Sequence, residues 1–118
     1  LFINDLANRT QYVQQLVKKL GNLPFVWISP SNWNGDTGIN DVIEENVGKG
    51  HFFDSRNLKL KRGSDHYHPT WAAAAYWMDT AAKFIRSKEC ANPLLLNKPK
   101  AHHKATNTKL LQPSFEGY

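Results

Sequence analysis

Asp65 stands three residues before His68, and Pro69-Thr70 follow immediately. A carboxylate beside an imidazole is the acid-base half of a hydrolytic triad, in which the carboxylate orients one ring nitrogen and the other takes a proton from a hydroxyl nucleophile. A residue before proline is driven out of the α region into an extended conformation. His68 is therefore expected to project from a loop, with Pro69 opening the first turn of the next helix. The same stretch has a second reading. His66 and His68 form an H-x-H pair, and two residues one apart on an extended strand face the same way, so with Asp65 or His51 they form a candidate metal set. Trp33, Tyr67 and Trp71 flank the motif in sequence or in the expected fold, as stacking surfaces for a sugar ring or as ordinary packing. Lys59, Lys61 and Arg62 precede it as a solvated basic edge or an attraction for an anionic substrate. Asp54 and Ser55 are placed at a strand end, in a turn or lining a cleft.

These residues need elements to hold them. Leu6, Val13, Leu16, Val17 and Leu20 fall at helical spacing, Gly21 is placed to end the helix, and Lys18 and Lys19 suit its last turn. Phe25-Val26-Trp27-Ile28 is a short apolar run closed by Pro30 and predicts a central strand covered on both faces. A polar loop from Ser31 to Gly38 leads to a helix near Ile39 to Val47, ended by Gly48, and His51 to Asp54 predicts a second strand. Thr70 to about Ile85 is the clearest helix, with four consecutive alanines and an apolar side of Tyr76, Trp77, Ala81, Phe84 and Ile85. Trp27 and Trp77 are assigned to core faces. The order helix, strand, helix, strand, loop, helix points to an α/β sandwich with a parallel sheet, whose sites lie beyond the carboxyl ends of the strands.

Composition bounds the function classes. The chain has 118 residues, 41% hydrophobic and 14 aromatic (four Trp, four Tyr, six Phe), which suits one small folded domain. Of the net charge of +5, residues 88 to 118 supply three, with five lysines against two glutamates and no interleaved aromatics among the lysines. That pattern reads as a solvated, proline-containing tail and argues against nucleic-acid binding. His102-His103 reads as part of the same tail. A single cysteine, Cys90, excludes an intramolecular disulfide and a cysteine zinc cluster, and no cofactor motif is present. No run approaches the roughly 20 apolar residues of a membrane-spanning helix.

From Phe25 to Ile85 the chain resembles the C-terminal half of the SGNH, or GDSL-type, ester hydrolase family. The resemblance lies in a strand leading into Ile28-Ser29-Pro30, a polar loop, a helix, a strand ending near Asp54-Ser55, and then Asp65-His66-Tyr67-His68-Pro69-Thr70 before a long last helix. It implies a three-layer, flavodoxin-like α/β sandwich, incomplete on its N-terminal side, over residues 1 to 87, with residues 88 to 118 as an arm. It implies that His68 is a general base oriented by Asp65, and that the substrate is a small ester or an acylated sugar. The resemblance leans to an extracytoplasmic location. The family's Gly-Asp-Ser nucleophile motif is absent, so either the serine lies upstream or on a partner chain, or this half is a degenerate relic. Asn34-Gly35-Asp36-Thr37-Gly38 imitates that motif but reads as a turn. Phe2-Ile3-Asn4-Asp5 is similar to the Gly-x-Asn-Asp motif, making Asn4 the candidate oxyanion donor, although Asn4 and Asp5 equally suit a helix start. Two other readings remain open at this point: a non-catalytic α/β module that binds glycans or a partner chain, and a metal-binding protein using Asp65, His66 and His68. A half-sandwich is expected to leave the Phe25–Ile28 strand and the Tyr76/Trp77 helix face partly uncovered.

Overall fold

The computed structural model describes residues 6–98, 100, 101 and 104–107. Asn4, with its neighbours Phe2, Ile3 and Asp5, and the pair His102-His103 lie outside the described residues. The element order is α1 (Leu6–Leu20), β1 (Trp27–Ile28), α2 (Ile39–Val47), a 3-10 turn (Lys49–His51), β2 (Phe52–Phe53) and α3 (Trp71–Arg86). β1 and β2 pair in parallel, Trp27 with Phe52 and Ile28 with Phe53. The described residues thus form a small α/β unit of three helices around a two-stranded parallel sheet.

Helix ends follow the backbone chemistry of the residues there. Gly21 adopts φ +58°, and its N–H bonds to the Val17 carbonyl, closing α1 in the left-handed conformation that costs glycine little. Gly48 ends α2 at φ 88°, ψ 150°, a region essentially reserved for glycine. At α3 the expected start is corrected. Thr70, not Pro69, meets the helix: its Oγ1 accepts the Ala73 N–H at 3.1 Å, while Pro69 forms an antiparallel bridge with Arg62. A hydroxyl that satisfies an orphan N–H favours the capping position over a proline-first start.

Alternation along the strands divides the core. Trp27 and Phe52 point to α1 and α2, where Val13, Ile43, Val47 and Phe52 are buried and Val17, Phe25, Trp27 and Ile39 pack around them. On the opposite face Phe53 meets Phe84 of α3, ring centroids 5.8 Å apart. Ile28, its neighbour across the ladder, remains 37% exposed. The expected two-sided coverage of β1 therefore holds on one face only. α3 turns Ala73 and Ala81 inward and leaves Tyr76 and Met78 exposed, so Tyr76 does not belong to the packed side. Leu16 is likewise exposed on α1, whose inward stripe runs through Val13 and Val17.

Both strands are shorter than their apolar runs because side chains take over where a ladder would begin. The Phe25 carbonyl is bonded by the His51 ring at 3.0 Å, and the two rings stack at 4.3 Å. His51 itself is wound into the 3-10 turn, its N–H on the Gly48 carbonyl. Beyond β1 the ladder continues by one bond, Ser29 N–H to the Phe53 carbonyl. A buried hydroxyl joint then ties both strand ends to α3: the Ser55 N–H donates to Ser29 Oγ and the Trp77 indole N–H to Ser55 Oγ, each at 2.7 Å. Ser29 and Ser55 are fully buried, and Trp77 acts through its polar edge as well as its ring.

After α3 the chain has no helix or strand among the described residues. It nevertheless stays on the body as far as Leu94: the Ala91 N–H bonds Gly50, the Leu94 N–H bonds Ile85, and Cys90 is buried. No helix of the described residues is long and apolar enough to cross a membrane.

Candidate active site

The loop carrying Asp65 and His68 is closed at its base by backbone bonds. Thr70 N–H reaches the Lys61 carbonyl at 2.9 Å, Gly63 N–H the His68 carbonyl at 2.8 Å, and His66 N–H the Gly63 carbonyl at 3.0 Å. At its tip His66 takes φ +58°, the one positive φ outside glycine among the described residues. That turn presents two successive N–H groups to one carboxylate oxygen: Tyr67 and His68 donate to Asp65 Oδ1 at 2.9 and 3.0 Å. An aspartate suits this position because its short side chain bonds the backbone two and three residues on.

The second oxygen faces the imidazole. Asp65 Oδ2 lies 2.6 Å from His68 Nδ1. The bond to His68, followed by the two backbone N–H groups, lowers Asp65 from its ordinary value to about 2. An ionised carboxylate only accepts, so Nδ1 carries the proton and, in neutral imidazole, Nε2 carries the lone pair. No hydrogen bond occupies Nε2 among the described residues. The pair is open to solvent, with the side chains 75% and 51% exposed.

Neighbouring side chains hold the loop from outside. The Trp33 indole N–H donates to the His66 carbonyl at 2.6 Å. Arg62 donates to the Tyr67 carbonyl and to Ser31 Oγ, both at 2.9 Å, linking this loop to the one after β1. Trp33 meets Tyr67 edge to face at 4.9 Å, and Tyr67 meets the His68 ring in the same manner at 5.0 Å. Trp33 and Tyr67 border a groove of about 340 Å3 reaching Pro30, Asn34 and Thr37, and His68 adjoins it through its ring contact with Tyr67. The sequence places Trp33 and Tyr67 beside the motif, but not the bonds by which Trp33 and Arg62 hold the loop, since those loops meet only in the fold.

The other residues singled out from the sequence stand apart from this row. Trp71, the first residue of α3, is 94% exposed and joins no aromatic contact among the described residues. Asp54 accepts the Arg56 N–H and Nε–H, and Arg56 reaches Asp41 and Glu44 as well, so Asp54 serves a local charge cluster. Asp41 first, and then Asp54, raise Arg56 further above its already high ordinary value, against an opposing effect of burial. Thr37 lies in a turn closed by Asp36 Oδ1 on the Gly38 N–H.

The extended H-x-H strand expected of a metal site is not formed. His66 sits in the left-handed turn, His68 is engaged by Asp65, and His51 is committed to Phe25. No group of three His, Cys, Asp or Glu side chains suited to a metal occurs among the described residues.

Asn40 escaped the sequence reading. Fully buried at the start of α2, it donates through Nδ2 to the Pro30 carbonyl at 3.2 Å and braces the loop after β1. Its polar type within an otherwise periodic helix was the available clue. Scans against protein-family models, curated proteins and solved structures find no match to this chain.

Proposed function

We propose that this chain carries the acid-base half of an SGNH-type carboxylic ester hydrolase. The observation that supports the reading is the 2.6 Å bond between Asp65 Oδ2 and His68 Nδ1, held by a carboxylate anchored to its own loop. Asp65 keeps the proton on Nδ1. His68 Nε2 then removes the proton from a serine hydroxyl as that oxygen attacks the ester carbonyl, and returns it to the departing alcohol. Water, activated by the same nitrogen, releases the acid and restores the serine.

The serine is contributed from upstream of this chain or by a partner chain, together with further strands that would complete a three-layer sandwich. The half-covered sheet face at Ile28 supports such an addition. The groove bordered by Trp33 and Tyr67 offers aromatic edges and amide and hydroxyl groups to an acylated sugar. The test is hydrolysis of an aryl acetate by protein that includes the upstream sequence. His68→Ala abolishes turnover and Asp65→Asn lowers it strongly; unchanged rates in both variants would falsify the assignment. The same groove also supports a second reading, a glycan-binding module without catalysis. Sugar binding that persists in a protein with no esterase activity would select it.

A further inference from the structure

Arg56 and Arg62 lie six residues apart on the segment between β2 and the dyad loop, and their surroundings differ in kind. Arg56 is ringed by three carboxylates, from Asp41, Glu44 and Asp54. Arg62 bonds neutral oxygens only among the described residues, the Tyr67 carbonyl and Ser31 Oγ. Lys59 and Lys61 are exposed, and neither forms an ion pair among the described residues. Arg62 and Lys59 line a groove of about 390 Å3 with Asn32, Trp33 and Asn57. A guanidinium has five N–H donors, and Arg62 uses two of them, so three remain for a ligand while the side chain is already held in place.

This basic groove adjoins the aromatic one. Asn32 and Trp33 line both, and Trp33 stands two ring contacts from His68, through Tyr67. A ligand with its ester at His68 would extend past Tyr67 and Trp33 and place its next substituent among Arg62, Lys59 and the amides. We infer that this groove is a subsite for an anionic group, a carboxylate or a sulfate borne by a sugar, at the unit adjoining the acylated one. The inference rests on the ester-hydrolase reading for its orientation relative to His68. Its chemistry rests on the uncompensated cations alone. A planar guanidinium beside amide donors suits a charged oxygen pair or trio, and a neutral hydroxyl would leave the cations without a counter-charge.

The probes are glucuronate, glucose 6-sulfate and glucose, titrated separately into the isotopically labelled protein while the Trp33 indole and Asn57 and Lys59 amide signals are followed. At least one anionic sugar is expected to move these signals with about tenfold or greater preference over glucose, and raising the salt to about 0.5 M should weaken it severalfold. The comparison between the two acids identifies which anion geometry the groove takes. Lys59→Gln, an exposed change, is expected to cut affinity about threefold to tenfold; Arg62→Gln removes it, and Arg62→Lys recovers part. Equal response to glucose, no response at Trp33, or unchanged affinity in both Lys59→Gln and Arg62→Gln overturns the subsite. Because the readout is binding, it separates from the reaction. Anion binding retained alongside full esterase activity in His68→Ala would overturn the catalytic reading and leave the groove standing, and lost binding with an intact His68 requirement would do the reverse.

Discussion

The α1–α2 side of the sheet and the loop from Arg62 to Thr70 are held together by opposite means. On the first, Val13, Ile43, Val47 and Phe52 exclude water almost completely, and apolar burial supplies most of the contact, with Gln14–Asn46 and the buried Asn40 as its polar ties. On the second, Asp65, Tyr67 and His68 are all exposed, and shape is imposed by hydrogen bonds accepted by Asp65 and donated by Trp33 and Arg62. Burial is non-directional and sustains a fold; hydrogen bonds are directional and set the aim of a ring. The difference teaches that stability and the aim of the His68 ring rest on separate parts of this chain, and mutations on the two sides should have separable effects.

The largest effect is expected at the loop, in activity. His68→Ala should lower ester hydrolysis about 10,000-fold or more, equivalent to about 5.5 kcal/mol, with the melting temperature unchanged. A matching loss of thermal stability would erase the distinction between the two sides. Phe52→Ala, on the core side, should cost about 3 to 5 kcal/mol in chemical denaturation, because the cavity would sit between the sheet and α2. Cooperative unfolding at unchanged midpoint would break the comparison from the other direction.

Smaller changes sharpen it. Thr70→Ala removes the cap on Ala73 and should cost about 1 kcal/mol, measured by denaturation. Trp33→Phe keeps a ring beside Tyr67 but deletes the donor to the His66 carbonyl. It should lower activity about fivefold, the worth of one hydrogen bond near 1 kcal/mol, with little change in melting temperature.

The smallest effect is the pH dependence. Asp65 is depressed from 3.8 to about 2 in the folded chain, so its contribution is complete above the ordinary carboxylate range and is lost as pH falls through about 2. Carboxyl NMR titration should place its midpoint near 2, and His68→Ala should move it back upward, since the bond to His68 is the largest cause. A midpoint near 4 in the unaltered chain would show that the pair is not formed in solution.

Much of the frame was legible beforehand. Period 3.6 places α1, α2 and α3 within a few residues, because amphipathic spacing and glycine stops act locally. The two strands were legible as apolar runs but not in length, since the partners that shortened them, His51 for Phe25, lie 26 residues apart. The Asp65–His68 bond was legible because both residues sit in one turn. The hold exerted on it by Trp33 was not, because 33 residues of chain separate donor from acceptor.

The sequence by itself determined the elements and the dyad: each depends on side chains a few positions apart, within reach of local sterics and hydrogen bonding. Only the tertiary structure decided which cation is neutralised and which stays available, and which aromatic residues stand beside His68. Trp71 follows the motif closely in sequence and still faces solvent, whereas the distant Trp33 joins the row. Proximity along the chain sets what a residue can bond locally; packing of α2, the sheet and the intervening loops sets what it meets across space.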